Sequence, residues 1–396
     1  MKVLVVNAGS SSLKFRLYLM PAEQLLCAGN AERIGEDGSF VHCTIFNDEQ
    51  KKKIEHPVAM GDHASAMREI ILLVNNAAHG MIANPAEIEM VGHRVVHGGD
   101  HFDAPVHITP AVKEQIKLLF PFAPLHNPAS YRCIEVASAF FPDAKQVAVF
   151  DTAFYHTMPP EAAHYAIPHS YFKQDKIRVY GFHGISHKYV TEEAVKHLQQ
   201  PEAKLISLHL GNGCSAAAID GNRPVDTSMG FSPVSGLVMG TRSGDIDPAT
   251  ILHLMMHHGF SVEYVDNLLN KQSGLLGLSG HSDMRDVEKA AETGHADAQL
   301  ARNLYAYRIK KYIGAYVAAL NGVDALIFTA GVGEHDNNMR SLVCSGLTAL
   351  GIEIDPVLNA LPNTGLRAIH SGSRPVKILV IPTNEELEIA RQCMTL

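Results

Sequence analysis

Two arginines sit in glycine-bearing stretches, the first of which also holds two histidines: Gly92-His93-Arg94-Val95-Val96-His97-Gly98-Gly99 and Met239-Gly240-Thr241-Arg242-Ser243-Gly244-Asp245. A third stretch, Tyr180-Gly181-Phe182-His183-Gly184, carries a histidine in the same setting. A guanidinium flanked by glycines is poorly placed to solubilise a surface, and its planar fork suits an anion gripped at two points, with a structural ion pair as the plainer alternative. Three glycine-bearing loops, 7–12, 211–213 and 331–333, each follow an apolar run. Glycine lets a backbone approach an anion closely, and successive N–H groups make a concave phosphate site. One such loop is an ordinary turn; three in one chain point to a nucleotide. Asp151 and Glu385 each follow an apolar run and offer hard oxygen to Mg²⁺, or else a helix cap or a buried pair.

Several other chemistries are disfavoured. The P-loop pattern G-x-x-x-x-G-K-[ST] is absent, and Gly211-Asn212-Gly213 with Ala216 fits the dinucleotide pattern only formally. Residues 215–219 followed by Asp220-Gly221 read as strand and turn where that motif needs a helix, which argues against a dehydrogenase. Histidine pairs occur at 93/97, 183/187 and 253/257, but without H-E-x-x-H or a clear third ligand they argue against zinc. Lys and Arg number 33 against 41 Asp and Glu, and the one basic run, Lys51-Lys52-Lys53, reads as a solvated turn, so no nucleic-acid partner is expected. No apolar stretch is long enough to span a bilayer, and Val3 to Val6 reads as a strand rather than a leader. Six scattered cysteines without C-x-x-C spacing suit free thiols in the cytoplasm.

The elements that must position these groups read as α/β. Val3–Val6, the loop 7–12 and Leu13–Leu19 form a hairpin, and the pattern returns in Leu205–Leu210, Gly211-Asn212-Gly213 and Ser215–Ile219, as if the chain were two related halves. Gln146–Phe150 is a further strand, and Pro159, Pro160 and Pro168 mark a loop-rich passage beyond it. A helix is expected over 296–320, with Leu300, Leu304, Tyr307, Ile313, Tyr316, Val317 and Leu320 on one face. Strand 325–329 then enters the glycine loop, and strand 376–381 ends in Pro382-Thr383-Asn384-Glu385-Glu386 before a last short helix. The expected domains are 1–150 with 384–396, and 151–383.

Over essentially its whole length the chain resembles the acetate kinase family. The resemblance rests on Val3-Leu4-Val5-Val6-Asn7-Ala8-Gly9-Ser10-Ser11-Ser12-Leu13-Lys14-Phe15 and His93-Arg94-Val95-Val96-His97-Gly98-Gly99, with support from 124–128, 149–154, 209–213, 239–248 and 382–386. It implies the actin and sugar-kinase fold, two ribonuclease-H-like domains around a nucleotide cleft, the second binding nucleotide and forming the dimer. The implied reaction is reversible, Mg²⁺-dependent transfer of the ATP γ-phosphoryl group to acetate, giving acetyl phosphate and ADP, with Mn²⁺ able to substitute.

By resemblance, Arg94 and Arg242 hold the acyl carboxylate and the moving phosphoryl, His183 bonds the phosphoryl, and His126 supports them. Asn7, Asp151 and Glu385 organise the metal. Val96, Leu125, Phe182 and Pro233 wall the acyl methyl. ATP lies against Lys14, against His209, Leu210, Gly211, Asn212 and Gly213, against Asp283, Met284 and Arg285, and against Gly331, Val332, Gly333, Glu334 and His335. The chain departs from the usual family text at Tyr155-His156, Ile185, Val234-Ser235 and His335, where asparagine is common. The rival readings are a propionate or butyrate kinase, separated by Val96, and an actin-like nucleotide switch, which would have no reason to hold Arg94, His183 and Arg242.

Overall fold

The computed structural model describes residues 1–9, 11–46, 51–76, 81–124, 126–362 and 364–396. The chain divides into two compact units, Met1–Phe154 with Asn384–Leu396, and Tyr155–Thr383. Residues 151–154 stay with the first unit, where the Asp151 N–H bonds the Val95 carbonyl at 3.1 Å and prolongs a strand ladder.

The first unit is built on a mixed sheet of β1 (Lys2–Ala8), β2 (Ser12–Leu19), β3 (Gln24–Glu32), β4 (Phe40–Phe46), β5 (Lys51–Pro57), β6 (Ile88–Val95), β7 (Val106–His107) and β8 (Lys145–Phe150), in the order β5-β4-β3-β2-β1-β6-β8-β7. Strands β1, β6 and β8 run parallel, and the expected hairpin is β1 with β2. Alternation sends Leu4, Val6, Leu13, Phe15 and Leu17 to a core under the helices His63–Val74 and Asn127–Phe140. The opposite face meets the C-terminal helix Glu385–Cys393. Gly92 is what admits that helix: a Cβ there would stand 2.7 Å from Cys393 Sγ and 2.8 Å from Ile389 Cγ2. Asn7 and Lys14 are cross-strand partners, so both side chains share one face of the β1–β2 ladder. The run Lys51-Lys52-Lys53 is not a turn; it opens β5, an exposed edge strand, where lysines deter pairing with another sheet.

The second unit repeats the plan. Its sheet, β9 (Lys204–Leu210), β10 (Cys214–Asp220), β11 (Arg223–Thr227), β12 (Ala325–Thr329), β13 (Arg367–Ala368) and β14 (Lys377–Val380), has the order β11-β10-β9-β12-β14-β13. In both sheets three antiparallel strands lead into parallel ones: β3-β2-β1-β6-β8 corresponds to β11-β10-β9-β12-β14 in order and direction.

Three local expectations are corrected. The proline passage holds two short helices, Pro160–Ala163 and His169–Asp175. The long helix Ala296–Ala319 buries Ala298, Ala301, Tyr305, Ile309, Ile313 and Tyr316, while Leu300 and Tyr307 are exposed. Its inward face is marked by small alanines that let neighbours close in, a signal hidden when only large apolar residues are counted. Residues 330–335 form a short helix instead of an open glycine loop. Ala330 makes the turn out of β12 in the left-handed region, φ 63°, and its N–H is taken by Glu334 Oε1 at 3.0 Å.

Candidate active site

In the first unit, Arg94 near the end of β6 is the hub. Its Nε and Nη2 grip Asp151 Oδ1 and Oδ2 at 2.9 and 2.6 Å, and its Nη1 donates to Asn7 Oδ1 at 2.9 Å. Asn7 Nδ2 in turn donates to Glu385 Oε2 at 3.1 Å and Glu386 Oε1 at 3.0 Å, both on the first turn of the C-terminal helix. Arg16 approaches Glu386 at 3.9 Å. Burial works against the Arg94 charge, but Asp151, Glu385 and Glu386 outweigh it and raise the guanidinium's proton affinity above its ordinary value. Asn127 fixes the adjoining loop by exchanging hydrogen bonds with the His97 backbone at 3.1 and 3.0 Å. Val96 is buried beside that loop, and His126 begins the helix that carries Asn127. Leu125 lies outside the described residues, and Lys14 is exposed on β2.

These groups fit a hard divalent cation. Their donors are oxygens, and the three carboxylates Asp151, Glu385 and Glu386 outnumber the two guanidiniums that reach them. Asp151 gives both oxygens to Arg94, and among the described residues no three His, Cys, Asp or Glu side chains form a direct cage. A cation here would be held by Glu385 and Glu386 together with its own waters.

In the second unit, His183 occupies a left-handed turn, φ 55°, ahead of helix Gly184–Leu198. Its Nδ1 meets Ser215 Oγ at 2.9 Å, and its ring stacks on His209, centroids 4.3 Å apart. Ser215 Oγ also meets His187 Nε2 at 2.8 Å, and His187 Nδ1 meets Ser207 Oγ at 2.8 Å. Burial, then the neighbouring His209, push His187 well below its ordinary pKa, so it is neutral. Ser186 Oγ bridges His209 Nδ1 at 2.8 Å and Thr383 Oγ1 at 2.7 Å.

Arg242 is half-buried and has no carboxylate partner among the described residues. Its Nη1 reaches only the Pro233 carbonyl at 3.4 Å and Met239 Sδ at 4.0 Å, and burial pulls its pKa below the ordinary value. A Cβ on Gly213 would stand 3.4 Å from His183 Nε2 and 3.7 Å from Arg242 Nη1, so the imidazole and the guanidinium converge over one bare stretch of backbone. Phe182 is buried and its carbonyl accepts from Tyr155 Oη at 3.0 Å.

A cavity of about 700 Å³ lies in the same unit. Of the residues expected to contact nucleotide, Gly211, Asn212, Asp283, Met284, Arg285, Gly331, Val332 and His335 line it, joined by Leu275, Glu288, Tyr305, Asp336 and Asn337. His209, Leu210, Gly213, Gly333 and Glu334 do not. Glu334 instead spends Oε1 on the N–H groups of Ala330 and Thr383, at 3.0 and 3.1 Å. The Arg285 guanidinium, bonded at 3.0 and 2.6 Å, holds the Asp283 carboxyl down at about 2. Glu386, Ser215, His187 and Glu288 were not singled out in the sequence. Of these His187 carried a signal as one member of a histidine pair, and Glu386 as the last residue of the 382–386 segment.

The two-unit α/β fold is the kind found in actin and the sugar kinases, here in a phosphotransferase whose acceptor is a carboxylate. The match is close in solved structures: the acetate kinase of Porphyromonas gingivalis superposes with a TM-score of 0.91 at 42% identity, covering 100% of this chain and 99% of that one. A propionate kinase from Francisella tularensis gives 0.91 and 42%, over 99% and 98%. The acetate kinase of Flavobacterium johnsoniae is 48% identical over 99% of this chain and 98% of its own. Residues 2–391 match the Acetokinase family, and the chain belongs to it.

Proposed function

We propose that the protein moves the γ-phosphoryl group of ATP onto the carboxylate of acetate and back, giving acetyl phosphate and ADP. The observation that carries this reading is the unpaired Arg242 guanidinium beside His183 over Gly213. A carboxylate is already ionised at neutral pH, so its attack on phosphorus needs no general base. What remains is positioning and neutralisation of charge.

Arg242 supplies a charge that no carboxylate among the described residues satisfies. His183 offers a proton at Nε2 if the hydrogen-bond chain runs from Ser207 to His187 Nδ1, from His187 Nε2 to Ser215, and from Ser215 to His183 Nδ1. Of the two directions this chain can run, that one places a donor where a phosphoryl oxygen needs it. Arg94, held by Asp151, presents a fixed positive centre to the acyl carboxylate, with His126 supporting it. Mg²⁺, with Mn²⁺ as a substitute, would be held by Glu385 and Glu386 and its own waters, beside Asn7 and Asp151, and when bound would supply charge neutralisation to the phosphates. Val96, Phe182 and Pro233 are read as the apolar wall for the methyl group, and the 700 Å³ cavity as the place of the nucleoside.

Propionate is the second reading, because the Francisella tularensis propionate kinase matches this chain as well as the Porphyromonas gingivalis acetate kinase does. Val96 favours the shorter acid, with roughly 1–3 kcal/mol of discrimination per methylene. ATP-dependent acyl phosphate, trapped as the hydroxamate with acetate, propionate and butyrate in turn, tests both. Preference for acetate is expected. Preference for a longer acid keeps the reaction and overturns the wall, and no hydroxamate with any acid overturns the reading.

The protein is further read as a cytoplasmic homodimer. Helix Pro248–His258 buries none of its residues and exposes Leu252 and Met256, which supports self-association, and all six cysteines are free. No helix of the described residues is long and apolar enough to cross a membrane. Sedimentation as a monomer at micromolar concentration would contradict the dimer.

A further inference from the structure

Behind the helix Ala330–His335 lies a second cavity of about 190 Å³, lined by Glu334, His335, Asn337, Arg340, Asn359 and Arg367 with a short apolar rim. His335 and Asn337 line this cavity and the larger one alike. Arg340 is 1% exposed, yet every acceptor it meets is neutral: Asn359 Oδ1 at 2.8 Å, the Gly333 and Glu334 carbonyls at 2.9 and 3.0 Å, and the Asn359 carbonyl at 3.1 Å. Arg367 donates Nη1 to the Leu358 carbonyl at 3.1 Å, and its buried Nε has no acceptor.

Neither guanidinium is ion-paired among the described residues. The one carboxylate in the lining, Glu334, is committed to the Ala330 and Thr383 N–H groups, and Asp336 bears on Arg340 only from its place as cap of helix Asn337–Cys344. Burial, with Arg367 adding to it, brings Arg340 down to about 10. Two like charges thus share a small cavity without a counter-ion, and a buried charge left unpaired is costly.

We propose that the cavity between Arg340 and Arg367 is a binding site for a small tetrahedral oxyanion of the phosphate and sulfate class. Its volume falls below the roughly 300–1,000 Å³ of sites for larger organic ligands, which excludes a nucleotide. The guanidinium fork of Arg367 supplies the bidentate grip. An anion there also braces the carbonyls that Arg340 holds at the end of helix Ala330–His335, and so the wall shared with the larger cavity. The site rests on this cavity alone and stands apart from the proposed reaction.

Sulfate is the probe, titrated against chloride at matched ionic strength while thermal unfolding is followed, with ADP present throughout. The wild type is expected to gain stability along a saturable curve. Arg367→Gln, which loses one backbone hydrogen bond, should fold with kcat within about twofold of wild type and shift the sulfate midpoint about tenfold upward, the loss of one charge-assisted contact. Equal midpoints in the two proteins would mean that sulfate acts elsewhere, and no saturable response in the wild type would mean that no site exists; either overturns the assignment. If R367Q proves too unstable to titrate, Arg367→Lys takes its place: it keeps the charge, loses the planar fork and must also move the midpoint upward, and an unmoved midpoint overturns the assignment.

Discussion

Arg94 and Arg242 are the same residue type in two opposite settings. Arg94 is locked to Asp151 at two points, tied to Asn7 and surrounded by three carboxylates, whereas Arg242 touches a carbonyl and a thioether and meets no carboxylate among the described residues. A guanidinium satisfied by the protein is a fixed strut, its place set before any substrate arrives. One that the protein leaves unsatisfied is stabilised by whatever anion arrives, and the gain grows as negative charge develops on that anion. The first unit therefore buys rigidity with its arginine, and the second holds its arginine in reserve for the reaction.

The sharpest way to break this contrast is Arg94→Ala. Asp151 is 1% exposed, and removing Arg94 breaks its two-point buried ion pair, which costs on the order of 3–5 kcal/mol. Urea unfolding of this variant should show that loss together with a loss of activity. Stability like that of wild type would remove the strut.

Ser215→Ala comes next. It cuts the link between His187 and His183, and kcat should fall about tenfold, the worth of one hydrogen bond, with little change in KM for acetate. A change in KM alone would assign Ser215 to binding.

A smaller effect concerns Glu288, whose carboxyl is pushed up to about 7 by burial and then by Asp336. Its folded pKa lies above the ordinary 4.5, so the folded state holds the proton more tightly. The stability this adds is full in acid and is lost as pH rises from about 4.5 through about 7. Ionised Glu288 beside Asp336 in the larger cavity also opposes a polyanion, so KM for ATP should rise across the upper part of that range. Glu288→Gln should flatten both profiles, and a persistent slope would place the titration elsewhere.

The least effect expected is on the stability of Arg242→Ala. Its contacts are long and neutral, and unfolding should shift by less than about 1 kcal/mol.

The contrast between the arginines explains what the sequence could and could not reveal. Both hairpins were legible, because apolar runs around a glycine turn are local signals, and so was the pairing of elements into two related halves. Arg94 and Arg242 stood out through their glycine-rich settings. Their opposite electrostatics did not, since Arg94 is satisfied by Asp151, fifty-seven positions away, and through Asn7 by Glu386 at the far end of the chain. Ser207 and Ser215 were unreadable for the same reason: a serine on a strand gains its role from the histidine that a distant helix brings to it. Residues 331–333 misled because glycine suggests a loop, whereas Glu334 reaches back to cap a helix that begins at a strained Ala330.

The most direct test of the reserved arginine is the turnover of Arg242→Ala with saturating ATP, Mg²⁺ and acetate, measured as hydroxamate before and after adding free guanidinium at concentrations too low to unfold the protein. The expected result is a fall of about 100- to 1,000-fold in kcat, partly restored by the added cation. Turnover equal to that of wild type would show that the unpaired guanidinium takes no part in the transfer.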